Sequence, residues 1–296
     1  MDPEQLQSLI DPKTMNKKQG KWLRLHERLN HTPRLKMRIL CDKEILPKSL
    51  DKWHSLPLCP SCAFGNSKRR KWRTKPRPGT IEKVHQTAPG ILVCVDQLIS
   101  SQPGLVPQSS GCLTASRVWA YNIFFDVHSE YGHSFMMNNA TLDQRLQEKY
   151  SFVRDIFKYG VKVKAHMAGN GCFAKLGLHN EVYRCNKTIS FRGVEDHRQN
   201  RIVERHIGKI SVRDRTVLLH AKRFWPEGIA HMFWPFAISE AMHLVNTLTL
   251  DASGQTHLPS LTATEAHISL RDQKIWVHPV HVLESKIQTS SNVLLK

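Results

Sequence analysis

Two histidines and two cysteines near the start of the chain have the types and spacing of a zinc site. His26 and His31 form an H-x4-H pattern, and Cys59 and Cys62 form a C-x2-C pattern. A C-x2-C turn holds two thiolates about one tetrahedral edge apart, and Zn²⁺ prefers thiolate and imidazole ligands. We therefore predict a structural His2Cys2 zinc site. The alternatives are a redox-active C-x2-C and His54 as a substitute ligand.

The spacing of the two histidines constrains the element that carries them. Five residues turn an α-helix by about 500°, so His26 and His31 cannot point the same way from one regular helix. Leu25 and Leu29 follow helical spacing, and Pro33 stops the helix. We expect His31 to lie just beyond the helix end. Such a small module buries little core, so the metal would contribute most of its folding free energy.

Glu204 is a second residue whose side chain could bind a metal ion. It lies on a helix predicted from about Asp196 to Leu219 by the spacing of its apolar residues. Asn200, Glu204 and Gly208 lie four residues apart, along a separate line of this helix. A carboxylate among cations most often forms surface salt bridges. The alternative is a metal-binding carboxylate that faces a nucleic-acid backbone. The surrounding basic residues are Arg198, Arg201, Arg205 and Lys209.

The composition favours a polyanionic partner. The chain has 296 residues and a formal net charge of +18, which points to nucleic acid first and an anionic membrane second. No apolar run approaches the roughly 20 residues that span a bilayer, and the N-terminus has no secretory pattern. Seven cysteines, an odd number, favour a reducing compartment. We therefore expect an intracellular protein with no membrane partner.

A strongly basic stretch follows the cysteines. Residues 66–80 contain seven lysines and arginines and no acidic residue. This pattern is typical of an extended linker that also contacts phosphates, and the alternative is a solvated linker with no dedicated partner. The residues assigned here to nucleic-acid binding are Lys68, Arg69, Arg70, Lys71 and Arg73.

The elements that must position these residues indicate a mixed α/β sheet. Residues 91–95 form a continuous apolar run, typical of a strand buried on both faces, and we expect it to end at Asp96. Carboxylates at strand ends can meet at one sheet edge and bind divalent ions that activate water or a hydroxyl. Further strands are predicted at 118–125, 132–137, 161–168 and 187–191. Further helices are predicted at 173–178, 226–248 and 141–159, the last facing the core through Leu142, Leu146, Tyr150 and Val153.

The order of these motifs resembles that of integrases of copia-type retrotransposons, which are themselves similar to retroviral integrases. The resemblance covers about residues 22–250. The matching segments are H-x4-H…C-x2-C, the basic linker, Val95-Asp96-Gln97, Phe125-Asp126-Val127-His128-Ser129, Asn170-Gly171-Cys172-Phe173 and Gly193 through Arg205. The tail around Trp276-Val277-His278-Pro279 resembles the segment that follows the core in those polyproteins. The chain would then be a fragment of a longer Gag-Pol polypeptide.

The resemblance implies a fold and a division into domains. The expected core is a ribonuclease H-like mixed five-stranded sheet flanked by helices, preceded by a small helical His2Cys2 zinc-binding module. The predicted parts are a disordered lead-in at 1–20, the zinc-binding module at 21–65, a basic linker at 66–89, an integrase catalytic core-like domain at 90–250 and a C-terminal extension at 251–296.

The family's activity is 3′-end processing and strand transfer with an Asp-Asp-Glu triad and two Mg²⁺ or Mn²⁺ ions. When this triad is carried over to the matching positions of this chain, Asp96 is its first acid and Glu204 its third. The second acid should precede Asn170-Gly171, where this chain has Gly169. Glycine offers no ligand, so the resemblance implies weakened binding of Mg²⁺ or Mn²⁺ by Asp96 and Glu204, and weak or absent activity. Asp126 is the alternative source of the missing carboxylate.

The resemblance also implies partners and leaves competing functions. Arg198, Asn200, Arg201, Arg205 and Lys209 lie where DNA passes in the family. DNA is therefore the expected partner, with RNA as a second, and a homo-oligomer in the cytoplasm and nucleus is expected. An impaired integrase competes with a catalytically inactive nucleic-acid-binding remnant and with a ribonuclease H-like nuclease outside integration. The zinc module and the basic linker argue against the last.

Overall fold

Short helices form the N-terminal part of the chain, and a sheet with helices on both faces forms the rest. This computed structural model describes residues 15–50, 57–67, 86–107, 114–139, 141–169, 173–174, 176–191, 201–248, 256–262 and 273–277. The N-terminal elements are α1 (Lys17–Arg28), α2 (Arg34–Asp42), a 3₁₀ turn (Lys48–Leu50) and α3 (Pro60–Gly65). After them come β1 (Leu92–Gly104), β2 (Val118–Asp126), β3 (Gly132–Met137), α4 (Leu142–Phe157), β4 (Ala165–Ala168), α5 (Leu176–Arg184), β5 (Thr188–Phe191), α6 (Arg201–Phe224), a 3₁₀ turn (His231–Phe233), α7 (Trp234–Leu248) and α8 (His257–Thr262).

The strands form one mixed sheet in the order β3-β2-β1-β4-β5. The first three strands are antiparallel neighbours, whereas β4 and β5 run parallel to β1. Parallel neighbours need crossover connections, which α4 and α5 provide. This is the ribonuclease H-like mixed five-stranded sheet flanked by helices that the sequence predicts, so the predicted fold class is confirmed.

β1 is longer than the sequence predicts, and Asp96 therefore lies inside the strand rather than at its end. Residues 97–99 stay paired with β2, and the strand continues to Gly104 after a register irregularity. The long antiparallel partner supplies backbone hydrogen bonds that override the weak strand propensity of glutamine and serine. What ends after Val95 is the parallel pairing with β4.

Other elements begin later than predicted. β4 covers only the second half of the predicted strand 161–168, although Val161 and Val163 are buried. Their alternation with lysines therefore reflects packing of an irregular segment on the core, not strand pairing. α5 begins after the start of the predicted helix 173–178, and α7 begins at Trp234, where Pro235 occupies the first turn.

The two faces of the sheet pack against different helices. Val93, Val95 and Phe124 point to one side and form a core with Phe152 and Ile156 of α4. Because side chains alternate along a strand, Cys94 and Phe125 point to the other side, where they pack against Val203 of α6. α7 completes that second layer through a core that it shares with β2 and α6. The predicted apolar stripe of α6 is thus confirmed.

α4 buries charged residues on the side that faces the sheet. The sequence predicts Tyr150 on the core side, but its side chain is 42% exposed. Arg145, Glu148 and Lys149 are buried instead, at 3%, 6% and 3% exposure.

The N-terminal helices have their own small core, which contains Trp22, Leu29 and Leu40. They pack on α6 through α3, where a Cβ atom at Gly65 would lie 2.1 Å from Thr216 Oγ1. No real Cβ contact is that short, so this approach of the two helices requires glycine at position 65.

Several predicted segments lie partly or wholly outside the described residues. The basic stretch 68–85 and most of the C-terminal extension are among them. α1 begins inside the predicted lead-in because Asn16 and Gln19 form a capping box. The domain boundaries otherwise stay predictions. No helix in the described ranges has the length and apolar character needed to cross a membrane.

Candidate functional site

The four residues predicted to bind zinc come together. One ligand atom from each of His26, His31, Cys59 and Cys62 lies within 4.8 Å of every other. His26 Nε2 is 3.2 Å from Cys62 Sγ, and His31 Nδ1 is 3.3 Å from Cys59 Sγ. His31 Nδ1 also lies 3.5 Å from Cys62 Sγ. Two imidazole nitrogens and two sulfurs at this separation are the donor set of a closed structural zinc site.

The backbone beyond α1 brings the two histidines together. α1 ends at Arg28, and Asn30 and His31 have φ angles of 49° and 61° in the left-handed region. The amide of His31 donates to the carbonyl of His26 at 2.8 Å, which closes the turn. The expectation that His31 lies just beyond the helix is confirmed. Left-handed backbone at non-glycine residues costs energy, which metal binding would offset.

The ring nitrogen of His26 that faces away from the cluster is also fixed. His26 Nδ1 lies 2.9 Å from the carbonyl oxygen of Thr32, a geometry in which Nδ1–H donates and Nε2 points its lone pair at the cysteines. Such outer hydrogen bonds orient metal-binding histidines in proteins. The orientation of His26 therefore matches what zinc requires.

Hydrogen bonding and burial shift the pKa values of the two cysteines in opposite directions. The Cys62 thiol donates to Cys59, and His26 and His31 also hydrogen-bond its sulfur, which lowers the pKa of Cys59. The same hydrogen bond and burial raise the pKa of Cys62. A bound Zn²⁺ would hold both sulfurs as thiolates and release the proton of Cys62. Without metal, the cluster therefore favours a thiolate at Cys59 and a protonated thiol at Cys62.

Residues of α6 surround the cluster, and the sequence did not reveal them. The ring of His220 packs edge-on against that of His31, with 4.8 Å between centroids. Glu27 lies 3.9 Å from His220 Nδ1 and 3.8 Å from Arg223 Nη1. Burial raises the pKa of Glu27 to about 7. No local spacing connects Glu27 with His220, so only the folded contact between α1 and α6 discloses this arrangement.

A second candidate site lies where β1 and β4 separate. Cys94 pairs with Met167 and Val95 with Ala168, so the next residues along the two strands are Asp96 and Gly169. By strand alternation Asp96 lies on the same face as Cys94. Gly169 therefore directly follows the strand that neighbours Asp96.

Glu204 belongs to the helix that covers this face. Its neighbour Val203 packs on Cys94 and Phe125, and Glu204 itself is exposed in the first described turn of α6. Asp96 Oδ1 accepts a hydrogen bond from the Gln97 amide at 2.9 Å. Within the described ranges, the His2Cys2 cluster is the only group of three or more His, Cys, Asp or Glu side chains close enough to share an ion. No described carboxylate completes a triad with Asp96 and Glu204.

Asp126 does not serve as the missing carboxylate. It is fully buried, and its Oδ1 accepts from the Gly90 amide at 2.8 Å. Its Oδ2 accepts from the amide of Ser129 at 2.8 Å and from the Ser129 hydroxyl at 2.7 Å. Both oxygens are thus committed to the turn after β2. The alternative that Asp126 replaces the second acid is wrong, because its role is to hold backbone.

A cleft of about 470 Å³ lies between the N-terminal helices and α6. Glu204 is at its wall, together with the cations Lys36, Arg205, Lys209 and Arg213. Arg213 Nη1 is buried without a hydrogen-bond partner among the described residues. Most of the ionisable groups on this wall are positively charged.

The residues predicted to bind nucleic acid are only partly described. Arg205 and Lys209 are exposed on α6, and Lys209 Nζ pairs with Glu130 at 2.9 Å. Arg201 is the first residue of α6. The others lie outside the described residues, as does the substitute zinc ligand His54: Lys68, Arg69, Arg70, Lys71, Arg73, Arg198 and Asn200.

Searched by sequence, the chain matches no protein-family model and no curated protein. Among solved structures it is similar to the HTLV-2 integrase catalytic core domain in complex with magnesium, at 16% identity and a TM-score of 0.40 over 59% of this chain and 97% of that one. The BIV integrase catalytic core domain is 16% identical, with a TM-score of 0.39 over 59% of this chain and 95% of that one. The simian T-cell lymphotropic virus intasome, in complex with PP2A regulatory subunit B56 gamma, is 13% identical. Its TM-score is 0.45 over 84% of this chain and 78% of that one. At these identities the likeness concerns the fold alone.

Proposed function

We propose that this chain is a polynucleotidyl transferase of the integrase type, impaired at its metal site. The reaction would be 3′-end processing and strand transfer in DNA integration by a copia-type retrotransposon. The observation that carries the proposal is the strand register that puts Gly169 beside Asp96, under the helix that carries Glu204. The motif order that resembles copia-type integrases supports the same assignment.

The residues at this edge fit a single divalent ion poorly and a two-ion site not at all. Asp96 and Glu204 would supply its carboxylate ligands, and Gly169 supplies none. A bound Mg²⁺ or Mn²⁺ would activate the attacking water or hydroxyl and stabilise charge on the phosphate. The chain's own contribution is to position the DNA backbone along the cations of the cleft.

Restoring the missing acid tests the proposal directly. Gly169→Asp is expected to raise Mn²⁺ affinity at least tenfold, about 1.4 kcal/mol, because it adds a charged oxygen next to Asp96. Mn²⁺-dependent cleavage and joining of duplex DNA should rise above the unmodified level. Mn²⁺ binding can be followed by electron paramagnetic resonance, and DNA products by gel electrophoresis.

Gly169→Asn is the matched control, since it adds a side chain of the same shape without the charge. Asp96→Asn in the Gly169→Asp background should remove the gain. Strand transfer by the unmodified chain at the rate of the Gly169→Asp variant would contradict the assigned lesion. No Mn²⁺ response in Gly169→Asp, with the fold intact, would contradict the assigned site.

A nucleic-acid-binding remnant without catalysis is the second candidate, and the cationic cleft favours it. Binding to phosphates weakens with salt because counterions are released. Arg205→Gln is expected to lower DNA affinity and to reduce the slope of log affinity against log salt by about 1. Arg215→Gln is the control, because Arg215 is exposed on the same helix but does not line the cleft. Equal losses in both variants, or salt-insensitive binding, would contradict a phosphate-binding cleft.

The remaining assignments are part of the same proposal. The zinc-binding module would occupy 21–65, the basic linker 66–89, the catalytic core-like domain 90–250 and the extension 251–296. DNA is the proposed partner, with RNA as a second, and a homo-oligomer acting in the cytoplasm and nucleus is the proposed form.

A further inference from the structure

A small cavity lies on the face of the sheet opposite Asp96. It has a volume of about 20 Å³ and is lined by the buried cations of α4, by a histidine of β4 and by apolar side chains. The charged and polar lining residues are Arg145, Lys149 and His166. The apolar ones include Val95 and Ala168, which immediately precede Asp96 and Gly169.

Several polar groups of this cavity lack, among the described residues, the hydrogen-bond partners that would offset the cost of burying them. Arg145 and His166 are 3% and 2% exposed, and Arg145 Nε, Arg145 Nη1 and His166 Nε2 have no hydrogen-bond partner among the described residues. Lys149 is 3% exposed, and its ammonium contacts Cys185 Sγ at 3.8 Å and the Tyr150 ring at 4.9 Å. A sulfur and a ring face compensate a buried charge only weakly.

The nearest acidic residue on the same helix does not neutralise the two cations. Glu148 accepts a hydrogen bond from Asn122 through Oε2, and its Oε1 has no partner in the described part of the chain. Burial raises the pKa of Glu148 to about 7, so the side chain is only partly ionised at neutral pH. Among the described residues, these two cations therefore face at most one partial negative charge, on Glu148. A buried, uncompensated cation is costly, which calls for a further negative charge at this place.

We propose that this cavity binds a small monovalent anion, chloride being the common one, between Arg145, Lys149 and His166. The volume exceeds the roughly 10–15 Å³ that one water needs and admits one atom-sized guest, which excludes phosphate and larger anions. A water would satisfy hydrogen bonds but leave the charge uncompensated. The anion would hold α4 against β1 and β4, directly behind the strands that carry Asp96 and Gly169.

Halide-dependent stability of the zinc-loaded full chain tests this site. At fixed sodium concentration, replacing glutamate with chloride or bromide is expected to raise the unfolding temperature by about 2–4 °C in a saturable manner. Arg145→Met should lose this response. Arg154→Met is the matched control, because Arg154 is exposed on the same helix, and it should keep the response.

Bromide diffraction gives a second measurement on the unmodified protein. Crystals soaked in bromide are expected to show an anomalous peak in the cavity beside Arg145 and His166. Lys149→Met replaces Arg145→Met if that variant does not fold, with the same expected loss of halide response. An undiminished halide response in the folded variant would overturn the proposal. So would a cavity that holds only water or a carboxylate of the chain itself.

Discussion

Cys59→Ala is expected to abolish stoichiometric zinc binding and to unfold the N-terminal module. The change removes the sulfur that His31 approaches at 3.3 Å and leaves a ligand set that can no longer close. Structural zinc contributes about 10–16 kcal/mol of apparent binding free energy in small zinc peptides. This module has only a small core of its own, so most of its stability should disappear. Zinc content by mass spectrometry and helicity by circular dichroism measure the two effects.

Cys41→Ala is the matched control for the zinc prediction. Cys41 is buried in the same small core, but it is not one of the four clustered residues. Its variant should keep one zinc per chain and lose only the roughly 1–2 kcal/mol expected for a small core truncation. Chelation of the unmodified chain should reproduce the Cys59→Ala spectrum. A Cys59→Ala variant that retains tight stoichiometric zinc would show that the cluster is not the metal site.

Asp126→Ala is expected to lower the free energy of unfolding of the sheet domain by about 3–5 kcal/mol. The variant leaves the amides of Gly90 and Ser129 and the hydroxyl of Ser129 without their acceptor, and each buried orphan costs about 1–3 kcal/mol. Urea unfolding followed by tryptophan fluorescence measures this loss. The unfolding temperature should fall by about 10 °C.

Asp143→Ala is the control for this second prediction, because Asp143 is exposed in the first turn of α4. Its removal should cost at most about 1 kcal/mol, the size of a helix-terminus charge effect. An Asp126→Ala variant with unchanged stability but weakened Mn²⁺ binding would restore Asp126 as a metal ligand. That result would contradict the role assigned to it here.

The sequence predicts the zinc ligands well because each ligand pair is local. The end of α1 and the C-x2-C turn each depend on a few consecutive residues, so spacing indicates the histidine pair and the cysteine pair. The approach of the two pairs to each other depends on the fold. The strands of the sheet were also predicted, since runs of apolar residues mark strands that are buried on both faces. The short connection between β2 and β3 predicted their hairpin, whereas the ribonuclease H-like sheet as a whole was implied by the resemblance.

The failures have a common physical cause in long-range pairing. Residues 97–104 form a strand because β2 provides a hydrogen-bonding partner. The serines and glutamines of that segment do not by themselves predict a strand. The buried side of α4 was misassigned because Tyr150 is apolar enough to suggest burial, whereas Arg145 and Lys149 face the sheet. His220 contacts the zinc cluster from a helix almost 200 residues away. No window of sequence contains both partners of such contacts.

The register that sets Gly169 beside Asp96 also has a consequence for stability without metal. Carboxylates crowded at one sheet edge repel each other, and an active site of that kind is held together at a cost to the rest of the fold. Glycine at position 169 removes one of the like charges from the edge. With less repulsion between carboxylates at this edge, the sheet of the unmodified chain should depend less on divalent ions than that of the Gly169→Asp variant.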